Sequence, residues 1–300
     1  VTAPSPLQID RLSSLLERFR VRAHLFYSGA LCGVSRYEAQ PGRGFLHVLR
    51  RGEMELAHPP GSGLPPRVVV REPSLIFYPR PATHDFHNPP AEGADFTCAS
   101  LDFDGGERNP LVQGLPPLVL LPLADVDGLD QSLALLFAET DRVRCGSRLL
   151  ADRLFEVVLI QLLRWLLDHP ERGGLPVGLI TGLSEPRLAR ALTALHETPG
   201  EPWSLARMAQ QAGMSRSAFA ATFKSVVGQT PADYLAGWRL TLAQAELRKG
   251  RPVKLIAHEL GYANASALSR LFTQRVGVSP RHWLEQPGAA LALLHAAPSR

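Results

Sequence analysis

The chain has 300 residues, 45% of them hydrophobic, with 32 Lys and Arg against 28 Asp and Glu. That is globular composition, with length enough for two cores. The longest apolar segment, Leu154 to Leu167, is broken by Glu156, Gln161 and Arg164, which excludes an ordinary membrane span. No charged-then-apolar leader opens the chain, and three widely spaced cysteines fit a reducing cytoplasm better than a secreted disulfide framework. The charge is uneven: from Glu185 onward there are 14 Lys and Arg against 7 Asp and Glu, whereas the preceding residues are mildly acidic. A basic C-terminal third on an acidic body is the footprint of a DNA-binding module attached to a domain with another role.

In chain order, residues 7–20 space Leu12, Leu15, Leu16 and Phe19 as a short amphipathic helix. From Ala23 to Leu123, short runs such as GFLHVLR, EMELA, SLIFY and DFTCASLDF alternate with Gly- and Pro-rich breaks. Many short strands so punctuated predict an antiparallel sandwich or a jelly-roll β-barrel. Helices return at Asp130–Val143 and Ser147–His169, the second expected to be N-capped by Ser147. Its apolar positions run almost all round, so it needs partners on more than one side: the barrel, a second copy of the chain, or both. The Gly-rich stretch from Glu171 to Leu183 reads as a linker, and Ser184 as the N-cap of the helix that follows.

The remainder carries one pattern written twice. WSLARMAQQAGMSRSAFAATFKSVVGQTPADYL and PVKLIAHELGYANASALSRLFTQRVGVSPRHWL each predict a short helix, a Gly-centred turn and a second helix closed by Gly and Pro. Each is a helix-turn-helix, and one helix over Asp233–Lys249 joins them. The expected second helices are Ser215–Val227 and Asn264–Val276. Phe219, Phe223, Leu235, Leu268, Phe272, Trp283 and Leu284 are assigned to the core by helical spacing. On the second of these helices, Asn264, Ser266, Ser269, Arg270 and Thr273 form a polar face, with Arg270 suited to bidentate bonding of guanine. On the first, Arg216 and Lys224 suit phosphates, Ala220 or Ala221 a thymine methyl, and Ser217 is a further DNA-contact candidate.

This stretch resembles the DNA-binding domain of the AraC/XylS family of bacterial transcription regulators. The residues that carry the resemblance are G-x-S-x-x-x-F-x-x-x-F-K-x-x-x-G-x-x-P in the first copy, and A-x-x-x-G-Y, L-S-R-x-F and G-V-S-P in the second. The resemblance implies that the second helices enter adjacent major-groove segments on one face of double-stranded DNA, and that RNA polymerase is a further partner. The first copy departs from the family by placing Ser217, Ala220 and Ala221 where long polar side chains usually stand, which makes it an anchor rather than a reader.

The N-terminal half resembles a cupin: Pro79–Asn88 matches its second pattern with His84 and Asn88 in place and Pro81 for Gly, while only His47 survives of the first. One branch of the AraC/XylS family carries such a domain, with cysteines where Cys32 and Cys98 stand. Three readings follow. Cys32, His47, His84 and Cys98 converge on Zn²⁺; Cys32 and Cys98 are a redox pair; or all four are buried beside a pocket for a small-molecule effector. His87 is expected to face solvent. Cys145 reads as a small interfacial or semi-exposed residue. The expected architecture is α+β and multidomain. A cupin-like sensor spans residues 1–125 and a helical dimerisation segment 126–170. A linker (171–184), a tandem helix-turn-helix domain (185–286) and a tail (287–300) follow. A homodimeric, non-enzymatic regulator is expected, with a metal-dependent cupin enzyme and a ligand-independent regulator as rivals.

Overall fold

The computed structural model describes residues 9–88 and 93–285. They divide into two compact units that meet in sequence at Glu185 and Pro186, with residues up to Ser14 grouped with the second. The leading helix α1 covers Ser13–Arg18, shorter than its periodicity suggested, and Leu7 and Gln8 of the expected span lie outside the described residues.

The N-terminal unit is built on β1 (Val21–Leu31), β2 (Gly33–Tyr37), β3 (Arg43–Arg51), β4 (Met54–Ala57), β5 (Arg67–Val70), β6 (Ser74–Tyr78), β7 (His84–Asn88), β8 (Ala94–Phe103) and β9 (Val119–Pro122). They form two antiparallel sheets, β1-β8-β3-β6-β9 and β2-β7-β4-β5. Phe45, Leu49, Leu56, Ile76, Tyr78, Phe86 and Phe96, drawn from both sheets, share one core. Strand β7 alternates by the pleat: His84, Phe86 and Asn88 are buried, Asp85 and His87 half-exposed. The exposed edge of β1 is covered by a helix rather than a strand. The β1 amides of Leu25 and Ala23 donate to Asp152 Oδ1 at 2.7 Å and to Glu156 Oε1 at 3.3 Å. Two carboxylates thereby satisfy an edge open to pairing with another chain.

Those carboxylates sit on α4 (Ser147–Asp168), which pairs with α3 (Leu129–Asp141) after the short α2 (Pro110–Gly114). Ser147 is not the N-cap of α4; Gly146 holds that position in a left-handed conformation. The Ser147 hydroxyl instead accepts from the Arg144 amide at 2.6 Å and donates to the buried Glu139 at 2.9 Å, tying the α3–α4 turn together. No helix among the described residues is long and apolar enough to cross a membrane.

The Gly-rich stretch is not a free linker. It contains α5 (Leu179–Ser184), whose Leu179, Ile180 and Leu183 are buried. A Cβ at Gly114 of α2 would lie 2.7 Å from the Ile180 side chain, and one at Gly173 would overlap Leu166 of α4. Here glycine serves close packing rather than flexibility. Ser184 caps nothing downstream, since its hydroxyl donates back to the Ile180 carbonyl at 3.0 Å.

The C-terminal unit is all helical: α6 (Pro186–Glu197), α7 (Leu205–Ala212), α8 (Arg216–Val227), α9 (Pro231–Arg248), α10 (Val253–Glu259), α11 (Ala265–Val276) and α12 (Pro280–Glu285). Phe219, Phe223, Leu268, Phe272 and Trp283 are buried as their spacing requires, each large side chain contributing about 1.5–3 kcal/mol. Leu284 is the exception, 42% exposed at the end of α12.

Candidate nucleic-acid interface and sensor core

Two helix pairs, α7–α8 and α10–α11, turn on Gly213 and Gly261, both at positive φ, a conformation that costs glycine nothing. Both turns close the same way: the Met214 amide donates to the Ala209 carbonyl, and that of Tyr262 to Ala257. Each second helix then starts on a side-chain cap. Ser215 Oγ accepts from the Ala218 amide at 3.3 Å, and Asn264 Oδ1 from the Ala267 amide at 2.9 Å. Both residues thus stand just before the helices they were expected to begin, in extended conformation. A third cap starts α9, where Thr230 and Asp233 exchange hydrogen bonds. Asp233 also binds Arg275 of α11 at 2.7 Å, which lowers its carboxyl pKa.

On α8, Arg216, Ser217, Ala221 and Lys224 are exposed, while Phe219 and Phe223 hold the core. Ala220 is half-buried, which leaves Ala221 as the methyl available to a base. On α11, Ser266 and Arg270 are exposed, and Arg270 has no hydrogen bond or ion pair among the described residues. Ser269 is half-buried. Thr273 is exposed, but its hydroxyl donates to the Ser269 carbonyl at 2.9 Å, and the Asn264 carbonyl oxygen is engaged as cap. Gln274, outside the sequence-derived set, is exposed one turn beyond Arg270, and that i+4 spacing is the signal for it. The free polar face is therefore Ser266, Arg270 and Gln274.

In the N-terminal unit, His47 of β3 and His84 of β7 meet across the core, Nε2 to Nε2, at 3.0 Å. His84 Nδ1 faces the Ala82 carbonyl at 2.9 Å, which only accepts, so Nδ1 carries the proton. His84 Nε2 is then the acceptor, His47 Nε2 the donor, and His47 Nδ1 a bare lone pair, buried and without a partner. Burial lowers the pKa of both rings, that of His84 to about 4, and neighbouring imidazoles add to the effect. Tyr37 and Tyr78 stack on His84 with ring centroids at 5.2 and 4.1 Å. Cys98 lies opposite His47 in register, fully buried, its thiol pKa pushed up by desolvation despite a hydrogen bond with Tyr37.

Cys32 does not join this group. It is exposed, just beyond the Leu31–Ala94 pair at the end of β1. A Cβ at Gly93 would lie 3.1 Å from its sulfur. Cys98 lies on β8, five residues beyond Gly93 and on the order of 16 Å away by strand rise, well beyond disulfide reach of Cys32. The expected four-ligand zinc set is thus not assembled: among the described residues no three His, Cys, Asp or Glu side chains converge to hold a metal. The two imidazoles, already bonded to each other, do not fit a cupin metal centre by themselves. Cys145 is exposed.

Comparison with known proteins matches residues 10–168 to the family described as Cupin and residues 208–286 to the Helix-turn-helix domain. An AraC-like transcription regulator of Streptomyces lividans is 30% identical over 93% of this chain and 99% of its own length. Another from Streptomyces antibioticus is 38% identical, over 59% of each chain. The RCS-specific HTH-type transcriptional activator RclR of Escherichia coli strain K12 is 26% identical over 80% of this chain and 84% of its own. With a cupin domain over more than half its length and an AraC-like relative aligned nearly end to end, the chain belongs to the AraC/XylS family of DNA-binding transcription regulators, in the branch with an N-terminal cupin domain.

Proposed function

We propose that this regulator reads one face of its operator with α8 and α11 in successive major-groove segments, and that the reading is lopsided. The observation that carries this is the free polar face of α11, opposed to the small residues of α8 flanked by Arg216 and Lys224. Arg270 bonds a guanine edge, Ser266 and Gln274 assist, and α8 anchors through phosphates. Footprinting of the full chain on a duplex selected from a random library tests this. Protection of two segments one helical turn apart is expected, with strong base preference only under α11. Equal preference in both would overturn it.

The chain acts as a homodimer through α3 and α4, whose Leu135, Leu149, Leu150 and Val157 are apolar and exposed. We read the chain as a regulator rather than an enzyme because the relatives it aligns with are named as transcription regulators. The N-terminal domain is the sensor, and the centre of His47, His84, Tyr37 and Cys98 is where a small-molecule effector is read. The unpartnered His47 Nδ1 supports this, as a buried acceptor suited to a ligand that donates a hydrogen bond. A second reading, oxidant sensing by Cys32 and Cys98, is favoured by similarity to a protein named as RCS-specific, and it requires β1 to move along β8. Thiol titration before and after mild oxidant, with elemental analysis, separates them. Loss of two thiols together in the native chain, with the Cys32 thiol retained in Cys98→Ser, would replace the first reading by the second; stoichiometric zinc would displace both.

A further inference from the structure

The C-terminal unit holds a cavity of about 390 Å³ that DNA reading leaves unused. It opens between the two helix-turn-helix pairs. Trp203, Met208, Ala220, Leu235 and Leu271 form an apolar wall, with Ala220 on α8 and Leu271 on α11. Its size is within the range of small-molecule sites. Its lining also holds two neighbouring polar groups, Arg239 and Tyr262, that stand incompletely satisfied.

The first is the Arg239 guanidinium on α9. Nε donates to the Pro199 carbonyl at 2.7 Å and Nη2 to that of Glu201 at 2.9 Å, which fixes the plane of the group. Nη1 has no partner among the described residues. Nearby carboxylates are engaged elsewhere: Glu201 with Arg207, Asp233 with Arg275 and Glu259 with Arg251. A half-buried cation is therefore left without an anion, and burial accordingly lowers its pKa. The second is the Tyr262 hydroxyl, buried without a hydrogen-bond partner, on a ring whose centroid lies 5.7 Å from the guanidinium carbon. A fixed cation and a hydroxyl donor in the lining of an apolar cavity call for one ligand chemistry: a carboxylate head that accepts from both, on an apolar body.

We propose that this cavity is a binding site for a small aryl or branched-alkyl carboxylate, held by Arg239 and Tyr262, that sets the spacing of the two recognition helices. The site is rigid beside these two groups. A Cβ at Gly200 would overlap the Glu259 carbonyl and one at Gly261 the Gly200 carbonyl, so the loop before α7 and the α10–α11 turn pack directly together. Ala220 and Leu271 bring both recognition helices into its lining. A bound ligand therefore acts on their separation, and by linkage DNA must alter ligand affinity by the same factor. This second statement rests on the DNA-reading role proposed above; the binding statement does not.

The test uses the full chain with 3-phenylpropanoate and its neutral amide as probes, followed by calorimetry and by the Trp203 indole N–H resonance. Carboxylate should bind about tenfold or more tightly than amide and shift the Trp203 signal. Arg239→Gln should remove that preference. Because it also loosens the loop, Tyr262→Phe is the second variant. It deletes only an unpartnered hydroxyl, so it should weaken the carboxylate severalfold with no loss of thermal stability. Ala220→Leu should exclude both probes by filling the cavity. Equal binding of acid and amide, binding of neither at millimolar concentration, or an unmoved Trp203 resonance would overturn the site. If Arg239→Gln flattens the salt dependence of DNA binding and no carboxylate binds, the guanidinium is a phosphate contact instead. Carboxylate binding with unchanged operator affinity overturns only the coupling, whereas failure to bind any duplex overturns the DNA-reading role and leaves the site standing.

Discussion

Single residues decide more here than their types announce. Of the polar side chains on α11, Arg270 is the one whose charge and full donor set are free, so Arg270→Ala should cost about 1–3 kcal/mol of discrimination between native and scrambled operator. Competition binding checks this against Ser217→Ala, for which a comparable loss would contradict the asymmetry. In the core of the N-terminal unit, the His47–His84 pair is stable because both rings are neutral. The folded pKa of His84, about 4, lies below the ordinary value of about 6.5, so between those values the unfolded chain binds a proton that the folded chain refuses. Stability therefore rises with pH across that window: the contribution is complete above about pH 6.5 and lost as pH falls through about 4, with roughly 3 kcal/mol for His84. Hydrogen exchange of β7 amides in the full chain should show this slope, and His84→Gln should reduce it to the part that His47 contributes. That His84 faces inward was legible in the HDFHN alternation. That its partner is His47 rather than a metal was not, because 37 residues of chain separate them.

At the scale of elements, local sequence predicted the helix-turn-helix pairs well because caps, glycine turns and the Phe spacings agree with one another. The caps are where reading by position and reading by geometry part. Asn264 looks like the first residue of a polar face, yet its side chain ends the backbone's run of unpaired amides. Asn264→Ala should therefore cost about 1 kcal/mol in thermal unfolding of the C-terminal unit, and Asn264→Asp should restore it. A base-reading Asn264 would leave stability unchanged in both. Ser147 and Ser184 are the counterexamples: each precedes or opens a helical pattern, and each spends its hydroxyl on a tertiary or backward contact instead. Glycine content misleads in the same way at residues 171–184. A stretch rich in glycine is flexible only if nothing packs on it, and Gly173 and α5 are packed.

At the scale of the whole molecule, α4 is the element on which the proposed sensing and assembly meet. Its inner side holds β1 through Asp152 and Glu156, while Leu150 and Val157, two turns apart, are exposed on its outer surface. The double change Leu150→Glu and Val157→Glu should convert dimer to monomer in sedimentation equilibrium and weaken binding to an operator with two half-sites much more than to one. An unchanged mass would remove α4 from the interface. Sequence alone determined the class of each unit and the DNA-binding role, because hydrophobic period, turn glycines and charge asymmetry are local or additive properties. Tertiary structure alone decided which of the candidate residues meet. It brings His47 to His84 and sets Cys98 opposite His47, leaves Cys32 outside, and turns Ala220 into the cavity beside Arg239. Such meetings depend on strand register and helix crossing: a one-residue slip moves a strand side chain to the opposite face and swings a helical one by about 100°.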